Sequence, residues 1–316
     1  MELNDIVKGT FFLVIVIVGI PGNLTIMGSL SWIALTTFKL LPVEIIIWHL
    51  AVANAILAFT RGLPAALFIL FRFKVNSDAG CIILLYLARI SRGLAICFTC
   101  VLSCVQCITI IPSTSKWVYL KVLVSRHVSS VALSVWPLYM MMEIAPIFVA
   151  RAVRNFTNSE FTFNSGYCLS TFPTALMYHL NGFGLFSRDL IVVAVMTLAS
   201  VYILFILFKH RKQVNNMRTC TSSQNIAAEI RAAKTVVSLV TMYVLFFGVE
   251  NTIWLYQIAG STVVHSIVTD VRHFFSVCYT LFFPVAITTS NKKIQNILKC
   301  FYEHDNGKKR HACMLH

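Results

Sequence analysis

The sequence predicts an all-α membrane protein: a seven-transmembrane helix bundle with a short amphipathic helix after span seven. Three observations carry this. Hydrophobic residues fill 58% of the 316 positions and charged residues only 12%. A soluble chain carries about 25% charged residues, so this one cannot cover itself with a polar surface. Seven apolar stretches reach the roughly 20 residues that a membrane-crossing helix needs. Lys and Arg are also distributed unequally between the two sets of loops, fourteen against five, as the positive-inside rule requires.

The spans follow in order. Span one covers about 6–33. Its apolar run is too long for a signal-peptide core, and its N-terminal flank, MELNDIVKGT, is as acidic as it is basic. Spans two to four cover about 43–71, 81–111 and 128–150, and spans five to seven about 182–208, 232–258 and 266–289. The chain is read as one receptor domain over 1–316, with 290–316 as its tail. The basic loops contain Lys39, Lys116, Lys121, Arg126 and 209–218, joined by the tail. Positive-inside therefore places the N-terminus outside and the tail in the cytoplasm of a multi-pass plasma-membrane protein. The charge of +14 is thus topology information, and no nucleic-acid partner is expected.

Two features of the outer loops agree with that orientation. Asn155-Phe156-Thr157 is a glycosylation sequon in the loop after span four. Cys81, at the outer end of span three, and Cys168, in the same loop as the sequon, would share an oxidising compartment and can pair. Two free thiols are the alternative.

Arg89 and Arg92 interrupt span three in RISRGLAICFTC. An arginine in hydrocarbon costs at least about 2.5–3.5 kcal/mol. At about 1.5 Å per residue, they sit about 12 and 16 Å below Cys81, and their i, i+3 spacing puts both on one face. Arg61, Glu143, Arg188, Asp189, Glu250, Asp270 and Arg272 lie in the same outer half. Such charges face a bundle interior or a water-filled cavity, so a polar cavity open to the outside is expected. Its candidate ligand-binding residues are Arg89, Arg92, Glu143, Asp189, Glu250 and Trp254. The arginines would meet a ligand carboxylate, sulfate or carbonyl, or else only pair with acids to fix helix register. Glu250 and a span-three arginine are expected partners. Gly93 and Cys97 would keep the neighbourhood uncrowded. Tyr243 and Phe247 share a stripe with Glu250 and Trp254, but read as core.

The cytoplasmic side offers Gln106, Lys116, Lys212 and Arg231 as G-protein-facing residues. After span seven, Ile294, Ile297, Leu298 and Phe301 form an amphipathic face suited to the lipid surface. Cys300 beside them is a candidate for palmitoylation. Cys97, Cys100, Cys104 and Cys107 have metal-like spacing, but on a helix they make one stripe of small residues for close packing. No metal or other cofactor is expected. A transporter would need polar residues in both halves and a repeat. A membrane hydrolase would need clustered ligands, whereas the nine histidines are scattered. The chain does not read as an enzyme.

The pattern resembles a G-protein-coupled receptor of the vomeronasal type 1 branch, or its fish relative, the class-A-related olfactory receptor. The resemblance rests on Gly22-Asn23, HLAVAN from His49, RISRGLAIC from Arg89, SCVQCITIIPSTSKW from Ser103, and RDLIVVAVMTLASVYI with KHRKQV. The usual Asp-Arg-Tyr and Asn-Pro-x-x-Tyr motifs of rhodopsin-like receptors are replaced by Cys104-Val105-Gln106-Cys107 and Phe283-Pro284-Val285-Ala286-Ile287, and Asn54 stands where an Asp is usual. AAEIRAAKT lacks the Ser-Pro common before span six in the mammalian branch. A bitter-taste-like receptor is the nearest alternative. The resemblance implies a chemosensory receptor for a small-molecule odorant or pheromone in olfactory or vomeronasal neurons, coupled to an inhibitory-class heterotrimeric G protein.

Overall fold

The computed structural model describes residues 3–111, 115–153, 161–216, 223–259 and 266–305. Side chains at 4, 115–116, 210–216, 223–232, 259, 266–267 and 301–305 are outside that description. Seven helical segments are long and apolar enough to cross a membrane. Span one is α1, Leu3–Thr37. Span two is α2, Pro42–Leu57, then a π-helical turn, Ala58–Gly62, then α3, Leu63–Phe71. Span three is α4, Asp78–Ile110. Span four is α5, Ser115–Met142, continued by α6, Ala145–Val149, past a break at Glu143 and Ile144. Spans five, six and seven are α7, Ala175–Asn216, α8, Ser223–Ala259, and α9, Ser266–Ser290. The short helix after span seven is α10, Lys292–Asp305.

Span three is the axis of the bundle. It packs against spans two, four, five and six, and its small residues make this possible. A Cβ at Gly93 would clash with the edge of the Tyr139 ring of span four. The room that Gly93 leaves is therefore occupied by span four, which corrects the expectation of space kept beside the arginines. The four cysteines of the stripe are half-buried free thiols along the same helix.

The motif residues also have packing roles. A Cβ at Gly22 would lie 2.9 Å from the Pro284 ring, so spans one and seven meet there. Asn23 secures the contact by donating to the carbonyl oxygens of Gly19 and Thr280, at 2.7 and 2.8 Å. His49 of span two stacks on Phe98 and accepts from Trp136 Nε1 at 3.1 Å, which joins spans two, three and four. Tyr243 and Phe247 are fully buried and stacked, with Tyr279 edge-on to Tyr243. They are core, as read from the sequence.

The connection between spans four and five folds into a small antiparallel sheet: β1, Ala150–Ala152; β2, Thr162–Asn164; β3, Cys168–Thr171. β3 lies between the other two strands. The turn between β2 and β3 uses Gly166 at φ +83°, a conformation that suits glycine, and a Cβ there would strike the Phe68 ring. A Cys81–Cys168 disulfide ties β3 to the start of span three. Asp78 accepts from the Ala152 amide at 2.7 Å and fixes β1 to the same helix end. The hairpin is thus bound over the face of the bundle where span three begins.

Candidate functional site

A cavity of about 80 Å³ lies under this hairpin, between spans two, three, five, six and seven. Its walls include Arg61, Arg89, Arg92, Asp189, Glu250, Asn251, Trp254 and Arg272, with Phe163 and Ser170 from the hairpin. Of the six expected ligand-binding residues, five line this space. Glu143 is absent from its walls and is instead paired with Arg188.

A connected ion-pair network fixes most of the charges. Arg92 Nε donates to both oxygens of Glu250 at 3.1 Å. Its Nη1 reaches Asp189, and its Nη2 donates to Asn251 Oδ1 at 2.9 Å. Glu250 also pairs with Arg61 at 3.2 Å, and Arg61 donates to Ser276. Asp189 accepts from Arg188 at 2.9–3.0 Å, and Arg188 continues to Glu143. Spans two to six are tied together through three arginines and three carboxylates. The expected pairing of Glu250 with a span-three arginine is present, and the partner is Arg92.

The π-helical turn of span two positions Arg61 for this network. Such turns are rare and often sit at functional sites. Arg92 rests against the Phe247 ring, with Cζ 5.2 Å from the ring centroid. Stacking of this kind suits the flat, weakly hydrated guanidinium.

Two arginines are bound differently. Arg89 donates to Asn181 Oδ1 at 3.2 Å and has no carboxylate within ion-pair distance among the described residues. Arg272 is 4% exposed. Its Cζ lies 4.5 Å from the centroid of Trp254 and 6.0 Å from that of Phe163. Its Nη2 contacts His273 Nε2 at 3.2 Å, and its Nε has no partner among the described residues. The sequence places Arg272 near the top of span seven, but its role as a wall of the cavity was not evident there.

Phe163 forms the roof. Its ring lies 4.5 Å from that of Tyr178 and 4.4 Å from that of Trp254. Trp254 is held by its Nε1 donating to the Gly182 carbonyl at 3.3 Å. Nothing in the long connection 151–181 marks Phe163 out by pattern; its place depends on hairpin register and the disulfide.

A second opening lies at the opposite face, where α10 begins. It is an apolar cleft of about 500 Å³ between spans two, three, six and seven, lined by Gln106, Val236, Ile287 and Lys293 among others. Glu44 at its edge accepts from the Leu41 amide at 2.8 Å and pairs with Lys293 of α10 at 2.8 Å. This buried acid was not singled out from the sequence. Gln106 borders the cleft, whereas the side chains of Lys116, Lys212 and Arg231 lie outside the described residues, as does Asn155. Cys300 is half-buried on α10.

Seven crossing helices, a disulfide-pinned hairpin over a charged cavity and a cleft at the far face define a heptahelical membrane receptor. Comparison with known proteins specifies the branch. The model of the vomeronasal organ pheromone receptor family matches residues 6–300. The chain belongs to this family of G-protein-coupled receptors. It is 35% identical over 301 residues to olfactory receptor class A-like protein 1 of Danio rerio, covering 95% of this chain and 94% of that protein. It is 28% identical to vomeronasal type-1 receptor 1 of Gorilla gorilla gorilla, over 87% of this chain and 78% of that protein. With human vomeronasal type-1 receptor 4 the identity is 25%, over 90% and 94%. These relatives are receptors, which points away from an enzyme.

Proposed function

We propose that the protein is a chemosensory receptor that binds a small odorant or pheromone in the charged cavity and passes the signal to a heterotrimeric G protein at the opposite cleft. One observation carries the reading. Span six contributes walls to both openings: Glu250, Asn251 and Trp254 to the cavity, Thr235 and Val236 to the cleft. Between them lie the buried Tyr243 and Phe247. A ligand that prefers one placement of Glu250 and Trp254 therefore biases the placement of the cleft wall. A ligand acts this way only through differential affinity for two states, and a decisive shift needs about 5.5 kcal/mol of it.

In this reading the hairpin face is extracellular and the cleft cytoplasmic, as the Lys and Arg distribution requires. Glycosylation at Asn155 fits the outer loop. Residence in the plasma membrane of olfactory or vomeronasal neurons and an inhibitory-class G protein are the family's expectations. Gln106, Lys116, Lys212 and Arg231 are proposed to face the G protein. The deciding experiment is ligand-dependent nucleotide exchange on purified G protein by the full chain in lipid nanodiscs. Exchange that no compound in a screen of acids, sulfated steroids and neutral volatiles can accelerate would remove the receptor reading.

A further inference from the structure

From the charge balance of the cavity we infer that its ligand is a compact organic carboxylate, held between Arg89 and Arg272. The inference rests on the receptor reading and specifies the ligand class. Five arginines and three carboxylates occupy the buried network and the cavity wall. Every carboxylate is engaged: Glu250 by Arg61 and Arg92, Asp189 by Arg92 and Arg188, Glu143 by Arg188. The surplus of two positive charges is Arg89 and Arg272. Both line the cavity, and neither has an acid within ion-pair distance among the described residues. Asp270, the acid nearest Arg272 in sequence, is paired with Lys8 at 3.1 Å.

Arg92, one of the two span-three arginines expected to meet a ligand, is committed to Glu250, Asp189 and Asn251. Arg272 is the opposite case. Trp254 covers one face of its guanidinium, and a buried Nε has no partner. A buried charged donor without an acceptor is costly, and a guanidinium edge matches a planar carboxylate better than any neutral group. Arg89, with a single neutral acceptor, can supply a second donor set across the same space.

Size narrows the class further. The cavity is small, about 80 Å³, which favours a compact ligand. The organic body would lie against the apolar part of the wall, which includes Phe163, Trp254, Leu85 and Leu185.

The test is thermal unfolding of the purified full chain in micelles, at constant sodium and ionic strength. The probes are acetate, hexanoate and benzoate, each against its primary amide, with a steroid sulfate as a further arm. At least one carboxylate is expected to raise the midpoint saturably while its amide does not. Arg89→Gln and Arg272→Gln should each raise the half-saturating concentration at least tenfold, and Arg89→Lys and Arg272→Lys by less. Equal effects of acid and amide, no effect of any acid, or Gln variants that titrate like the parent would overturn the inference. So would stabilisation by the steroid sulfate alone. If the Gln variants do not fold, the acid-against-amide comparison on the parent protein still decides. The same panel run for nucleotide exchange separates the two ideas. Carboxylates that bind, while no compound in the wider screen drives exchange, leave the inference standing and remove the receptor reading. Exchange driven by neutral compounds, with the acids inert, does the reverse.

Discussion

Arg92 and Glu250, 158 positions apart in sequence, meet through one nitrogen: Arg92 Nε donates to both oxygens of the carboxylate at 3.1 Å. This contact joins spans three and six at the floor of the cavity. Both side chains are nearly buried, at 13% and 5% exposure. Stranding one buried partner costs about 3–5 kcal/mol. Here the survivors keep other partners, Arg61 for Glu250 and Arg188 for Asp189, so the lower end applies. Arg92→Ala and Glu250→Ala should each lower the unfolding midpoint, and the double variant should lose less than the sum by about 0.5–3 kcal/mol. Strict additivity in purified receptor would show that the contact contributes no coupling.

The Cys81–Cys168 bond spans 87 residues of sequence. Opening a loop of that size costs about 2–5 kcal/mol. Cys168→Ser should therefore reduce folded receptor at the cell surface, and peptide maps run without reductant should recover the crosslinked pair from the parent protein. Recovery of both as free thiols from folded receptor would contradict the structure.

At Gly93 span three packs directly against the Tyr139 ring of span four. Gly93→Val drives new carbons into the edge of the Tyr139 ring, and overpacking of this kind costs about 1–3 kcal/mol. Tyr139→Ala in the same chain should restore part of the loss. Thermal unfolding of the two single variants and the double variant measures it, and an unaltered midpoint for Gly93→Val would mean the spans are further apart.

Glu44 caps span two through the Leu41 amide and holds α10 through Lys293. Glu44→Gln removes the charge from both contacts. A lost cap is worth about 1 kcal/mol, which corresponds to roughly fivefold in an opening equilibrium. Amide hydrogen exchange in 292–300 should accelerate by about that factor, with little change near the hairpin. Uniform protection in parent and variant would detach α10 from this contact.

Phe163 roofs the cavity between Tyr178 and Trp254. Phe163→Ala leaves the disulfide in place and removes the roof. Bulkier carboxylates should gain response relative to small ones, and bound ligand should dissociate faster. A size preference identical to that of the parent would assign the ring to loop packing alone.

Much of this was readable from residue type and depth. The seven spans follow from hydropathy and length, and the Arg92–Glu250 pair from equal depth and opposite charge. What could not be read is azimuth, the direction each helix turns its side chains about its own axis. Arg89 and Arg92 share a face by spacing, yet one joins the acid network and the other does not, because Asp189 and Glu250 come from helices whose rotation is set by packing. Gly93 was legible as small, but not as the seat of Tyr139. Phe163 had no periodic signal, since hairpin register and a disulfide place it.

The π-helical turn at Ala58–Gly62 has a further consequence, for the phase of span two. An α-helix advances about 100° per residue, and a π turn accommodates one residue beyond that count. The segments before and after it therefore keep different angular frames, and Leu63–Phe71 faces its neighbours as if one residue had been inserted. Deleting a single position within 58–62 would restore a continuous helix and swing one half of the span by about that angle relative to the other. Arg61 could then no longer meet both Glu250 and Ser276 while His49 stays on Phe98 and Trp136. The span works as two segments set in register by one extra residue, so its length in residues is itself a determinant of the site.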